Sequence, residues 1–145
     1  ACIVFNEAQE IISKYSVFIH RVQRYESGKF YRRELPCILR VLEEVNEKID
    51  LIITDSFVWL DDGKRGLGAR LYEKLKGQIP VIGVAKTFFR DAQNYKEVFR
   101  GKSSKPLYVS SAGIDLDYSA DFIRNMKGRF RIPDLLKEVD RLSRT

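Results

Sequence analysis

The amino-acid sequence predicts an α/β fold in which buried strands alternate with amphipathic helices. Two short runs carry that expectation. Asp50 to Asp55 and Pro80 to Ala85 are apolar and rich in Ile and Val, yet each is too brief for a helix. Such runs read as strands buried on both faces of a sheet. A helical pattern separates them, and a crossover of that kind lays its flanking strands parallel. The first run ends on Asp55 and the second leads into Lys86. Ligands of α/β sheets gather beyond the carboxyl ends of the strands. An acid and an amine are therefore expected side by side on one rim.

Length and composition bound the rest. With 145 residues, 32% of them charged, the chain is expected to form one domain over residues 1–145 with a real core. No apolar run approaches the roughly 20 residues of a bilayer span, and no signal peptide is visible. Cys2 and Cys37 are too few for a disulfide framework and stand at no metal-ligand spacing. They are expected to be buried thiols in a reducing, cytoplasmic compartment. The net charge of +6 is uneven, with Lys86, Arg90, Lys96, Arg100, Lys102 and Lys105 answered only by Asp91 and Glu97. A basic stretch beside a candidate acid site suggests a polyanionic partner such as nucleic acid. The plainer reading is a solvated basic loop.

The elements follow in order. Cys2 to Phe5 reads as a strand, a turn falls near Asn6 to Gln9, and a second strand is expected around Tyr15 to Val22 as an antiparallel hairpin. His20, the sole histidine, reads as an ordinary strand residue. The chain opens abruptly inside a strand, without Met, and a preceding N-terminal piece is expected. A helix from about Arg33 to Lys48 has the apolar stripe Leu35, Ile38, Leu39, Leu42 and Val45. Pro36 belongs in a first turn, which places Glu34 at the helix N-terminus, where backbone N–H groups favour a carboxylate.

Ser56 to Arg65 reads as a loop carrying Trp59, Asp61 and Asp62, and Gly66-Leu67-Gly68 opens a helix to about Lys76. The glycines allow a close backbone approach, although neither a Walker loop nor GxGxxG is present. Thr87 to Lys105 is basic and aromatic with a weak helical pattern. Pro106 to Val109 reads as a strand and Ser110 to Gly113 as a turn. A helix from Asp117 to Lys127 ends on Gly128, and Pro133 opens the last helix.

Glu34, Asp55 and Asp117 stand at element ends. Converging carboxylates hold Mg²⁺ through hard oxygens, as enzymes acting on phosphodiesters require, and Lys86 would add charge near the transition state. The set predicts a metal-dependent nuclease.

These residues resemble one family, endonuclease V. Tyr25-Glu26-Ser27-Gly28 through Arg33-Glu34-Leu35-Pro36 looks like its Tyr-x-Pro-Gly…Phe-Arg-Glu-x-Pro segment. Asp55 with Gly66-Leu67-Gly68 resembles its Asp-Gly…Leu-Gly-x-Ala block. Pro80 to Lys86 is close to Pro-x-Ile-Gly-Val-Ala-Lys, Val109 to Gly113 to the late Val-Ser-x-Gly segment, and Arg131-Ile132-Pro133 to Arg-x-Pro. The resemblance implies an RNase H-like mixed sheet with flanking helices and cleavage dependent on Mg²⁺ (or Mn²⁺) 3′ of deoxyinosine or inosine, as in repair of deaminated adenine. It implies Glu34 and Asp55 as catalytic acids and metal ligands, Lys86 as a phosphate-side cation and Asp117 as a further acid. Tyr25 would belong to a strand-separating wedge, and Gly83 and Gly113 would border a pocket for a flipped base. DNA, or RNA, is the implied partner of a monomer.

The chain also departs from the pattern. The family's first acid, on a strand before the hairpin, has no counterpart here, and that strand is expected to lie in the missing piece. Ser27 replaces the wedge proline, Ser56 the glycine after the second acid, and Asp61-Asp62 a His-Pro. Ser56 and Asp61 thus fall at base-recognition positions. A nucleic-acid-binding module of the same fold, without catalysis, is the alternative reading. A small-molecule α/β enzyme binding a nucleotide near Gly66 to Gly68 is a third.

Overall fold

A computed structural model describes residues 1–19, 30–61, 64–88 and 92–144. Two compact units emerge. One comprises Ala1–Lys48 with Met126–Gly128 and Ile132–Thr145, the other Ile49–Asn125 with Arg129–Arg131.

The first unit begins with an antiparallel hairpin of Cys2–Phe5 (β1) and Ile11–Tyr15 (β2), with Cys2 opposite Tyr15 and Val4 opposite Ser13. The turn lies where its polar residues predict, closed by the Glu10 N–H on the Asn6 side-chain oxygen at 3.0 Å. The second strand ends at Tyr15 rather than starting there, because the short turn returns the chain at once to pair with β1. His20 lies outside the described residues.

Phe30–Leu42 (α1) starts earlier than the expected Arg33 and stops before Lys48. Pro36 therefore sits inside the helix, where it has no N–H to give to the ladder. Glu34 is correspondingly past the first turn, which contains no acid, and not at the helix N-terminus as expected. Leu35 and Val41 are the buried residues of this helix.

The second unit is built on a four-stranded sheet. Ile52–Thr54 (β3) is followed by a hairpin of Trp59–Asp61 (β4) and Lys64–Arg65 (β5), where the sequence predicts a loop. Leu67–Lys74 (α2) starts at the Gly-Leu-Gly step, as expected. Val81–Ala85 (β6) is buried at every position, as its composition predicts. Lys96–Val98 (β7) replaces the expected helical pattern, because its backbone pairs with the edge of Leu107–Ala112 (β8). β8 runs through Ser110 and Ser111, read from sequence as a turn. The buried Ser110 hydroxyl accepts the Val58 N–H at 2.8 Å, which makes a serine stable inside the sheet.

The strand order is β3-β6-β8-β7. β3 and β6 are parallel, as predicted, with Thr54 opposite Gly83, whereas β8 is antiparallel to both β6 and β7. Leu116–Arg124 (α3) packs on β7 and β8, and α2 packs on β6 and β8. Leu71, Ile82, Val84, Val98, Leu107, Val109 and Ile123 form the fully buried core between them. α3 ends at Arg124 with Asn125 as its cap, short of the Gly128 stop predicted. Asp134–Ser143 (α4) returns to the first unit, opens just after Pro133 and packs on β1. No helix among the described residues is long and apolar enough to cross a membrane.

Candidate active site

Asp55 and Lys86 follow the last residues of the parallel strands β3 and β6. Their side chains meet at 3.4 Å, carboxylate oxygen to ammonium nitrogen. The carboxylate is 61% exposed and the lysine 36%. An ion pair this open contributes at most about 1 kcal/mol to stability, so its value lies in what it presents to solvent.

The backbone beneath both residues is tightly held. Behind Asp55, the Thr54 and Ser56 hydroxyls bond at 3.2 Å in a buried position. The chain then crosses over Gly83. A Cβ there would lie 2.4 Å from the Ser56 carbonyl oxygen and 3.0 Å from the Ser110 hydroxyl, so only glycine lets the segment lie down. On the other side, one guanidinium nitrogen of Arg131 donates to the Lys86 carbonyl and, at 2.8 Å, to the Pro106 carbonyl.

An aromatic cluster adjoins the pair. Phe57 and Tyr108 lie within 6.0 Å of each other, Tyr95 packs edge-on against both, and Phe88 closes the group against Tyr95 and Tyr108. Phe57 is buried beside Ala85 and Ala92, whereas Phe88 is 49% exposed. The sequence marks this stretch as aromatic, but its position beside Lys86 depends on Tyr108 lying opposite Ala85 in the sheet. Arg131 was legible only as part of a motif, because its work is done on backbone carbonyls.

The other expected site residues are placed as follows. Asp117, in the first turn of α3, is ion-paired with Lys96 of β7. Asp115 caps the same helix, its side chain accepting the Tyr118 N–H at 2.9 Å. β7 and β3 are the outer strands, and β6 and β8 separate them. Glu34 belongs to the first unit, half-buried and 3.8 Å from the Arg33 Nε. Among the described residues no three Asp, Glu, His or Cys side chains gather as a metal site.

Gly113, at φ 78°, is packed rather than open, since a Cβ would lie 2.5 Å from the Tyr72 ring. Ser56 is buried, with its hydroxyl engaged by Thr54. Asp61 ends β4 opposite Lys64, while Tyr25 and Asp62 lie outside the described residues. Of the basic stretch, Lys86 and Lys96 are ion-paired, Arg90 is outside the described residues, and Arg100 is buried. Lys102 and Lys105 alone match the expected exposed cations.

A mixed sheet whose parallel strands release an acid and a lysine at one rim is the RNase H-like architecture. The solved structures share it. Endonuclease V from Bacillus subtilis superposes with a TM-score of 0.76 at 22% identity, covering 98% of this chain and 70% of that one. The Streptomyces avermitilis protein gives 0.67 at 26% identity over 83% and 61%. Ciona intestinalis endonuclease V, solved with a DNA containing an inosine followed by a ribo-adenosine, gives 0.76 at 17% identity over 98% and 75%.

The family model for endonuclease V matches residues 1–103, and the chain belongs to that family. Among curated relatives, endonuclease V of Trichormus variabilis is 27% identical in an alignment of 141 positions, gaps included, that covers 82% of this chain and 62% of the relative. The Nostoc punctiforme protein is 26% identical over the same shares. The chain thus spans less than two thirds of the length of these relatives.

Proposed function

We propose that the protein is a metal-dependent endonuclease that cuts a phosphodiester 3′ of deoxyinosine or inosine. The observation that carries this reading is the Asp55–Lys86 pair on adjacent parallel strands, in a chain of the endonuclease V family. The Ciona relative's inosine-containing DNA supports the substrate class.

The donor chemistry suits Mg²⁺ or Mn²⁺ in part. Asp55 offers an exposed hard-oxygen ligand that is committed to no helix cap or buried network. Mg²⁺ is commonly held by one or two carboxylates, with water and substrate phosphate completing the shell. Asp55 is the proposed ligand of the second unit and Glu34 that of the first. The bound ion would supply charge neutralisation and an activated water. Lys86, fixed through its own carbonyl, would hold a non-bridging phosphate oxygen as negative charge develops there. Tyr25, Ser56, Asp61, Gly83 and Gly113 remain the proposed base-recognition positions. Gly83 and Ser56 would act there through the backbone they bring together.

The test is cleavage of a labelled strand with one deoxyinosine, beside an undamaged strand, in Mg²⁺ and in chelator. Cutting confined to the inosine strand and to the metal arm is the expected result. Binding without turnover would instead favour a catalytically impaired nucleic-acid-binding module. That second reading has one observation behind it, the lack of a three-ligand cluster among the described residues.

A further inference from the structure

The sheet register carries a second group of cations to the rim of Lys86. Ala85, at the end of β6, lies opposite Tyr108, and Leu107 lies opposite Val98. The turn from Phe99 to Pro106 therefore leaves the sheet at the same end as Lys86. Arg131 joins the two directly by holding the Lys86 and Pro106 carbonyls with one nitrogen.

This turn is not a loose basic loop. The Arg100 side chain, 5% exposed, donates to the Phe130 carbonyl at 2.9 Å and the Arg131 carbonyl at 3.2 Å. Gly101, at φ 61°, lets the turn press against residues 129–130, where a Cβ would lie 2.5 Å from the Arg129 carbonyl oxygen. The Ser103 hydroxyl donates to the Lys105 carbonyl and accepts the Lys105 N–H, both at 3.1 Å. These bonds thus fix the backbone that bears Lys102, Lys105 and Arg129, all three exposed. Among the described residues none of them has a carboxylate partner. Phe99 and Phe130 flank them, 53% and 61% exposed.

We infer that Lys102, Lys105, Arg129 and Phe99 form a binding track for a nucleic-acid strand, extending the Asp55–Lys86 site along the rim. Cations on a rigid backbone meet successive phosphates without the ordering cost of a flexible loop. An exposed ring beside them gives an unpaired base a face to stack on. The inference rests on the proposed action on nucleic acid, but it is tested by binding alone.

The measurement is equilibrium binding of a labelled oligothymidylate in chelator, across a range of salt. The combined variant Lys102→Ala, Lys105→Ala and Arg129→Ala should weaken binding. Each lost phosphate contact on a single strand removes about 0.7 from the slope of log affinity against log salt, so three remove about 2. A control variant, Lys74→Ala with Lys76→Gln, removes charge near the opposite end of β6 and should leave the slope unchanged. Phe99→Ala should weaken binding equally at every salt, because stacking releases no counterions.

An unchanged slope in the triple variant, or equal losses in triple and control, would overturn the track. Unchanged affinity in Phe99→Ala would remove the ring from it. The cleavage assay separates this from the nuclease reading. A failed nuclease assay with a normal binding result would overturn that reading and leave the track standing.

Discussion

Arg131 holds Lys86 by its backbone, donating to the Lys86 carbonyl from the same nitrogen that holds Pro106. The proposed phosphate-side cation is thus aimed by a residue that need not touch the substrate. Hydrogen bonds from a charged group contribute about 1.5–3 kcal/mol each, and removing the guanidinium leaves two carbonyls without their donor. Arg131→Gln should therefore lower kcat about tenfold or more with little change in KM, because Lys86 would be present but poorly aimed. Arg131→Lys should not rescue it, since a flexible ammonium does not hold its donors in the fixed plane from which the terminal guanidinium nitrogen reaches both carbonyls. Equal loss through KM alone would assign Arg131 to binding instead.

Asp55→Asn should abolish metal-dependent cleavage while leaving the unfolding midpoint within about 0.5 kcal/mol of the parent, as for other exposed positions. Full activity in that variant would sink the nuclease proposal. Circular dichroism and strand binding, measured alongside, would show whether the fold persists.

Asp117→Asn should behave differently. Its carboxylate is engaged by Lys96, and the two middle strands separate β7 from β3. Both partners are largely exposed, so losing the pair costs at most about 1 kcal/mol. Cleavage within about threefold of the parent is the expected outcome, a figure of the size that a small surface change allows. A loss comparable to that of Asp55→Asn would return Asp117 to the catalytic set.

Gly83→Ala tests how the rim is held. The new methyl would meet the Ser56 carbonyl oxygen and the Ser110 hydroxyl, neither of them a flexible side-chain end. Overpacking of this kind costs about 1–3 kcal/mol. Thermal unfolding should fall accordingly, and cleavage should drop with it, because the segment that must move begins beside Asp55.

Acid should loosen the first unit before any catalytic group is considered. The Glu47 carboxylate accepts from the Ser13 hydroxyl at 2.6 Å and from the Tyr15 hydroxyl, and these bonds hold it below the usual carboxylate range. Glu138 is lowered likewise by its hydrogen bond from Lys14. A depressed folded value means the contribution is complete above the unfolded value of about 4.3 and is lost as pH falls through the folded one. The gap in unfolding midpoint between the parent and Glu47→Gln should be open at neutral pH and close as the pH falls below the ordinary carboxylate range. A constant gap would mean that Glu47 acts by shape rather than charge.

The parallel pair of strands, and the acid and lysine that end them, were legible because composition and run length point the same way. β7 was not. Three residues, two exposed and then one buried, leave little pattern, and their strand state depends on the neighbouring edge of β8. The early start of α1 was hidden by Pro36, since proline marks a first turn in most helices but can be carried inside one. Asp117 illustrates a different limit. A position after a turn and at the start of a helix suits a ligand and an ordinary ion-pair partner equally, and the contact with Lys96 came into view only with the fold. The roles of Arg100 and Arg131 were invisible because a basic residue that serves backbone carbonyls looks, in sequence, like one that serves a phosphate.

Asp55 and Lys86 are joined through the chain only by way of the β4–β5 hairpin and α2, so no local segment contains both. Closing that loop must precede their meeting, and long-range parallel pairing is among the slower events of folding. The pair is therefore a late product of assembly. A nascent or partly opened chain would offer basic segments that attract a polyanion, yet no acid beside the lysine. On the proposed function, competence to cut would appear only with the completed topology, so that a folding chain could not damage the nucleic acid it attracts.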